Sequence, residues 1–93
     1  MPVPPGPGKP TVKFAVYGGL KSGNPDNALA KDVTDALQTA INKTAGEVVK
    51  IDNGNMGGDP AHLVQKHFGA ILKMVSGEER AFACLEGQTI DFT

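Results

Sequence analysis

Ninety-three residues, 40% hydrophobic and 20% charged, fit one globular domain and argue against disorder of the whole chain. A net charge of −1 and a pI near 6.0, with acids and bases interspersed, give no basic footprint for nucleic acid and no polybasic segment for anionic lipid. The longest apolar run is only a few residues, far short of a membrane span.

Four Phe, one Tyr and no Trp leave a core of mostly aliphatic residues and alanine. A core of that kind implies a net stability on the order of 5 kcal/mol. The single cysteine, Cys84, can form no internal disulfide, which fits a reducing compartment. The start "MPVPPGPGKP" lacks the charged stretch and apolar region of a secretory signal, so a cytoplasmic location is expected. Signal-independent export would leave no such trace.

Five of the seven prolines lie in residues 1–10. Proline fixes φ and lacks a donor, so this arm reads as a flexible, extended tail preceding a single domain over 11–93. Pro7 and Pro10 formally make a P-x-x-P element, the spacing of a polyproline ligand. In "TVKFAVYGG" the residues Val12, Phe14 and Val16 alternate with Thr11, Lys13, Ala15 and Tyr17, which predicts a strand that Gly18-Gly19 ends. "GLKSGNPDNA" then reads as a loop.

From Asp32 the period changes. Val33, Ala36, Leu37, Ala40 and Ile41 mark one face of an amphipathic helix, with Asp32 as N-cap, Asp35 in the first turn and Gly46 just past the end. A start as early as Asn27 is compatible with Ala28-Leu29-Ala30. "EVVKID" over 47–52 is a short β-branched strand. "KHFGAILKMV" sets Phe68, Ala70, Leu72 and Met74 against His67, Gly69, Ile71 and Lys73, and "RAFACL" returns after the "SGEE" turn, so 66–85 reads as a β-hairpin. "TIDF" is a last strand burying Ile90 and Phe92. The expected fold is α+β: a mainly antiparallel sheet of about five short strands with one amphipathic helix packed on it.

The stretch "GNMGGDPAHLVQKH", 54–67, carries the chemistry worth weighing. A phosphate cradle would need converging backbone amides and usually a Lys. Asp59 as N-cap and Pro60 at the first position of a short helix would occupy and repel that site, and the position where a P-loop Lys would stand holds Pro60. His62 and His67 are five apart, off one helix face and on opposite sides of a continuous strand, so no metal site and no cofactor is expected. Cys84 in "AFACLEG" reads as a small buried hydrophobe, and no G-x-S-x-G elbow exists. What remains is a polar loop on a rigid scaffold, in which Asn53, Asn55, Asp59, His62 and Gln65 are the candidate contact residues.

"VYGG", "DVTDALQ", "IDNGNMGGDPA", "QKHFGAI" and "EGQTIDF" occur in an order that resembles a small β-rich domain of unknown function. That domain stands alone in some bacterial proteins and is similar to the C-terminal domain of some DnaJ-type co-chaperones. The matching positions are Tyr17-Gly18, Asp32-Val33-Thr34, Asn53, Gly58-Asp59-Pro60-Ala61, Lys66 and Glu86-Gly87. The resemblance implies a compact sheet-containing domain that binds something and brings no catalytic residues. The expectation is therefore a non-catalytic protein-interaction module using the 53–65 loop, monomeric or weakly homodimeric through a sheet edge, with a protein or small ligand as partner. The alternative is a small metal- or thiol-dependent enzyme around His62, His67 and Cys84.

Overall fold

The structure, a computed structural model, describes residues 3–20, 28–44, 48–61 and 64–92. The chain is α+β, as its patterning implies. Among the described residues it runs β1 (Thr11–Leu20), β2 (Ala28–Asp32), α1 (Thr34–Lys43), β3 (Val48–Lys50), β4 (His67–Lys73), β5 (Glu79–Leu85) and β6 (Thr89–Asp91). Six strands form two antiparallel sheets rather than about five in one: a four-stranded sheet ordered β2-β1-β4-β5 and a two-stranded sheet of β3 and β6.

The additional strand is β2, which begins inside the expected loop. Its sequence "ALAKD" favours helix, but β1 offers it a ladder from Leu20↔Ala28 to Val16↔Asp32. Tertiary pairing overrides so weak a local preference. Gly18-Gly19 accordingly lies inside β1 and does not end it.

A second correction concerns the phase of β1. Strict alternation would bury Val12, Phe14 and Val16. The β1–β4 register shifts between Val12 and Phe14, a bulge that takes in Lys13. One extra residue turns every later side chain to the other face. Val12 is therefore buried, Phe14 is 49% exposed, and Ala15 and Tyr17 are each 0% exposed.

Helix α1 starts at Thr34, two residues after the expected cap, with Val33 in the cap position and no side-chain cap of its own. Asp32 still serves that end. Its carboxylate accepts from the Thr34 amide at 2.8 Å and the Thr34 hydroxyl at 2.6 Å, which holds its pKa below the usual value. Val33, Leu37 and Ile41 are buried, with Ala36 and Ala40 packed at the margin. Gln38 is buried too. Its amide accepts from the Val12 N–H at 2.7 Å and donates to the Pro10 carbonyl at 3.1 Å.

Residues 3–10, read from the sequence as a tail, lie against α1. The Val3 N–H donates to Asp35, the Gly6 N–H to Asn42, Asn42 to the Pro4 carbonyl, and the Lys9 ammonium to the Thr44 carbonyl. Because proline cannot donate, three of these bonds use the non-proline residues and the fourth a proline carbonyl.

One core lies between the four-stranded sheet and the layer made by α1, β3 and β6. Tyr17, Phe68 and Leu72 meet Leu37, Ile41, Val49, Ile51, Met56 and Phe92 there. The hairpin β4–β5 forms as expected, in register from His67↔Leu85 to Lys73↔Glu79. The other face of the large sheet carries Phe14, Ile71 and Leu85, exposed by 49%, 45% and 43%. No helix among the described residues is long and apolar enough to cross a membrane.

Candidate functional site: a shaped loop pinned by a buried lysine

The loop between β3 and β4 is built from its own backbone. Met56 is fully buried and roots it in the core. The Met56 N–H donates to the Asp52 carbonyl at 3.0 Å and the Gly58 N–H to the Asn53 carbonyl at 2.7 Å. The Asp52 carboxylate accepts from the Asn55 N–H, and the Asn55 amide donates back to the Lys50 carbonyl at 2.7 Å. Gly57 and Gly58 take φ of +82° and +136°, a conformation that a side chain would strain. Asp59 accepts from the Ala61 N–H at 3.0 Å, a local turn, and the short helix expected from Asp59 is not formed by the described residues.

At its far end the loop is tied to the sheet by Lys66. Its side chain is only 4% exposed, and its ammonium lies 3.0 Å from Asp59 Oδ1, 3.5 Å from Glu86 Oε2 and 3.1 Å from the Val64 carbonyl. The Lys66 N–H also faces Glu86 Oε1 at 3.3 Å. Burial alone would lower the pKa of this ammonium; the hydrogen bond and charge of Asp59, joined by Glu86, outweigh it and raise the pKa. A buried cation held by two carboxylates and a carbonyl is satisfied, and removing the lysine would leave both carboxylates without it.

Tyr17 closes the cluster. Its hydroxyl donates to Asn53 Oδ1 at 2.7 Å. Burial and the negative charges of Glu86, Asp52 and Asp59 push its pKa up to about 12. Tyr17, Asn53, Asp59, Lys66 and Glu86 thus meet in one place.

This predicts an alkaline transition with a readable probe. Tyr17 is the only tyrosine, so absorbance near 295 nm reports it alone. A phenol with a folded pKa above its unfolded value of about 10 stabilises the fold fully below pH 10, and that contribution is lost as pH rises toward about 12. Lys66 and Cys84, both raised, act in the same direction. Phenolate should appear near pH 12, together with loss of circular dichroism. A phenolate midpoint at pH 10 in the folded protein would show that the hydroxyl is not buried in this cluster.

The remaining candidate residues divide. Asn53 and Asp59 are committed to the cluster, Asn55 and Gln65 are exposed on the loop, and His62 lies outside the described residues. His67 is opposite Leu85 and Cys84 opposite Phe68, so His67 and Cys84 project from opposite faces of the sheet and are not brought together. Burial pushes the Cys84 thiol up, away from thiolate character. Among the described residues no group of three His, Cys, Asp or Glu side chains is placed to hold a metal ion.

Beside the loop runs a cleft of about 340 Å³ that the sequence did not announce. Asp35, Ala36, Thr39, Ala40 and Lys43 of α1 form one wall, and Gly54, Asn55 and Gly57 the other. The small side chains of α1 open it, and Asp35 and Lys43 charge its two ends. The alternation of β4, carried one pair back from Phe68, already places Lys66 on the buried face, which was the available signal for the cluster. Compared with known protein families, curated proteins and solved structures, the chain matches none.

Proposed function

We propose that the chain is a non-catalytic interaction module of the cytoplasm that meets a protein or small ligand through the 53–65 loop. The observation that carries this reading is the cleft between α1 and the loop, whose loop wall is held in one shape by internal hydrogen bonds and the Lys66 anchor. A wall fixed before contact loses little entropy on binding. Asn55 presents its polar edge there, while Asp35 and Lys43 can orient a partner that carries both charges. The resemblance to the C-terminal domain of some DnaJ-type co-chaperones belongs to the same proposal, since it implies a compact sheet-containing domain that binds something.

The test compares partners captured from cell extract by the wild type and by three variants. Asn55→Arg and Thr39→Arg fill the cleft from its two walls; Ile71→Lys changes the open sheet face. A partner retained by wild type and Ile71→Lys, and held roughly tenfold more weakly by both cleft variants, is the expected outcome. Equal retention by all four proteins would overturn the reading.

A further inference from the structure

We infer that β5 is a self-pairing edge: two copies of this chain join antiparallel along it, with Ala83 opposite Ala83, into a continuous eight-stranded sheet. The strand order β2-β1-β4-β5 leaves one side of β5 without a strand among the described residues. The Leu85 N–H turns to that side, where it donates to Gln88 Oε1 at 2.8 Å. Antiparallel strands alternate the direction of their backbone groups, so Ala83 and Ala81 also turn theirs outward. Protein edges are ordinarily blunted by lysine, proline or a bulge. The centre of this one, Ala81-Phe82-Ala83-Cys84, has none of these.

Charge selects the partner and the register. On the core-side face of this edge Arg80 stands near one end and Glu86 just past the other, while Glu79 projects from the opposite face, where it pairs with Lys13 at 3.0 Å, and Glu78 precedes the strand. An antiparallel copy can set Arg80 and Glu86 each against its opposite. With Ala83 on the two-fold axis, Arg80 of each copy falls opposite Glu86 of the other, on the core-side face. Moving the axis to Phe82 would set Glu78 opposite Glu86, like against like. The Glu86 side chain is 29% exposed while it holds Lys66, and Arg80 extends along the same face over the Phe82 ring at 5.2 Å. The second copy's Arg80 would therefore add a cation to the Asp59–Lys66–Glu86 cluster. On the open face the same register sets Leu85, 43% exposed, beside Ala81 of the other copy. Leu85 gives up both of its bonds to Gln88, from its N–H to Oε1 at 2.8 Å and from the Gln88 N–H to its carbonyl at 3.2 Å, for the carbonyl and N–H of Ala81 as the strands meet.

Seven residues at about 3.4 Å each give an edge of about 24 Å. An interface that narrow falls below the roughly 800 Å² per partner of standard stable complexes, so the dimer is reversible. Disulfide trapping reads the register directly. In a Cys84→Ala background, Ala83→Cys places two thiols across the axis with Cα atoms about 5.5 Å apart, within disulfide reach. Ala81→Cys places its pair about 14 Å apart. Both positions are exposed, and circular dichroism verifies that each variant is folded. The expected result is cross-linking of Ala83→Cys at least tenfold faster than of Ala81→Cys. In sedimentation of the otherwise native chain, Arg80→Glu should weaken dimerisation about tenfold. Equal rates, a faster Ala81→Cys, or a wild type that stays monomeric at every concentration would overturn the inference.

Discussion

Truncating Phe92 to alanine should cost about 3–5 kcal/mol, the range for a large aromatic removed from a core. Against an expected stability on the order of 5 kcal/mol, that leaves a population in which unfolding is no longer rare. The ring is fully buried and makes edge contacts with Phe82, at 4.8 Å between centroids and 64° between planes, and with Phe68, at 6.4 Å and 71°. Edge-to-face pairs of this kind are worth about 0.5–1.5 kcal/mol beyond the area they bury. The position matters as much as the ring. β6 has three residues and, among the described residues, pairs with the three of β3, and two such strands do not hold together alone. Phe92, just past β6, fastens the small sheet to the large one together with Val49 of β3. Urea unfolding should show the loss for Phe92→Ala and less than half of it for Phe92→Leu, which refills most of the space. An alanine variant within 1 kcal/mol of wild type would mean that the small sheet is fastened elsewhere.

The elements with strong periods were legible from the sequence, and those set by partners were not. Val33, Leu37 and Ile41 recur at helical spacing, and Phe68, Ala70 and Leu72 alternate, so α1 and β4 follow from pattern alone. β2 carries no such signal. Ala28 to Asp32 becomes a strand because β1 passes beside it, which is a property of the pair. The bulge at Lys13 was equally silent: alternation assumes an unbroken ladder, and one inserted residue exchanges Phe14 for Ala15 in the core.

The candidate site divides along the same line. Polar loop residues were visible as a group, but their division of labour depends on what lies across from them. Asn53 faces the Tyr17 hydroxyl from 36 positions away, and Asp59 shares Lys66 with Glu86, which comes from the end of β5. Those residues hold the loop's shape. Asn55 bonds within the loop, to Lys50 and Asp52, and also lines the cleft.

Replacing Gly18 by alanine should be the most damaging of the small substitutions, at about 3 kcal/mol, the upper part of the range for overpacking. A Cβ built there would lie 2.3 Å from the Leu29 carbonyl oxygen and 2.4 Å from the Ala30 Cα. Both are backbone atoms of β2, so no rotamer change relieves the contact, and β1 and β2 must part. Gly69 supplies the control from the same sheet. Its Cβ would meet nothing closer than 4.0 Å, so Gly69→Ala should be neutral or stabilising by up to about 1 kcal/mol through the unfolded chain. Parting β2 has a reach beyond its own ladder. Asp32 at its end receives the Thr34 amide where α1 begins, and the Lys31 ammonium lies against the Gly57–Gly58 turn. Hydrogen exchange should therefore quicken first in β2, then at the start of α1 and in the loop, while β4 and β5 keep their protection. A variant that exchanges uniformly, or that melts with Gly69→Ala, would show that the close approach of β1 and β2 does not position the cleft.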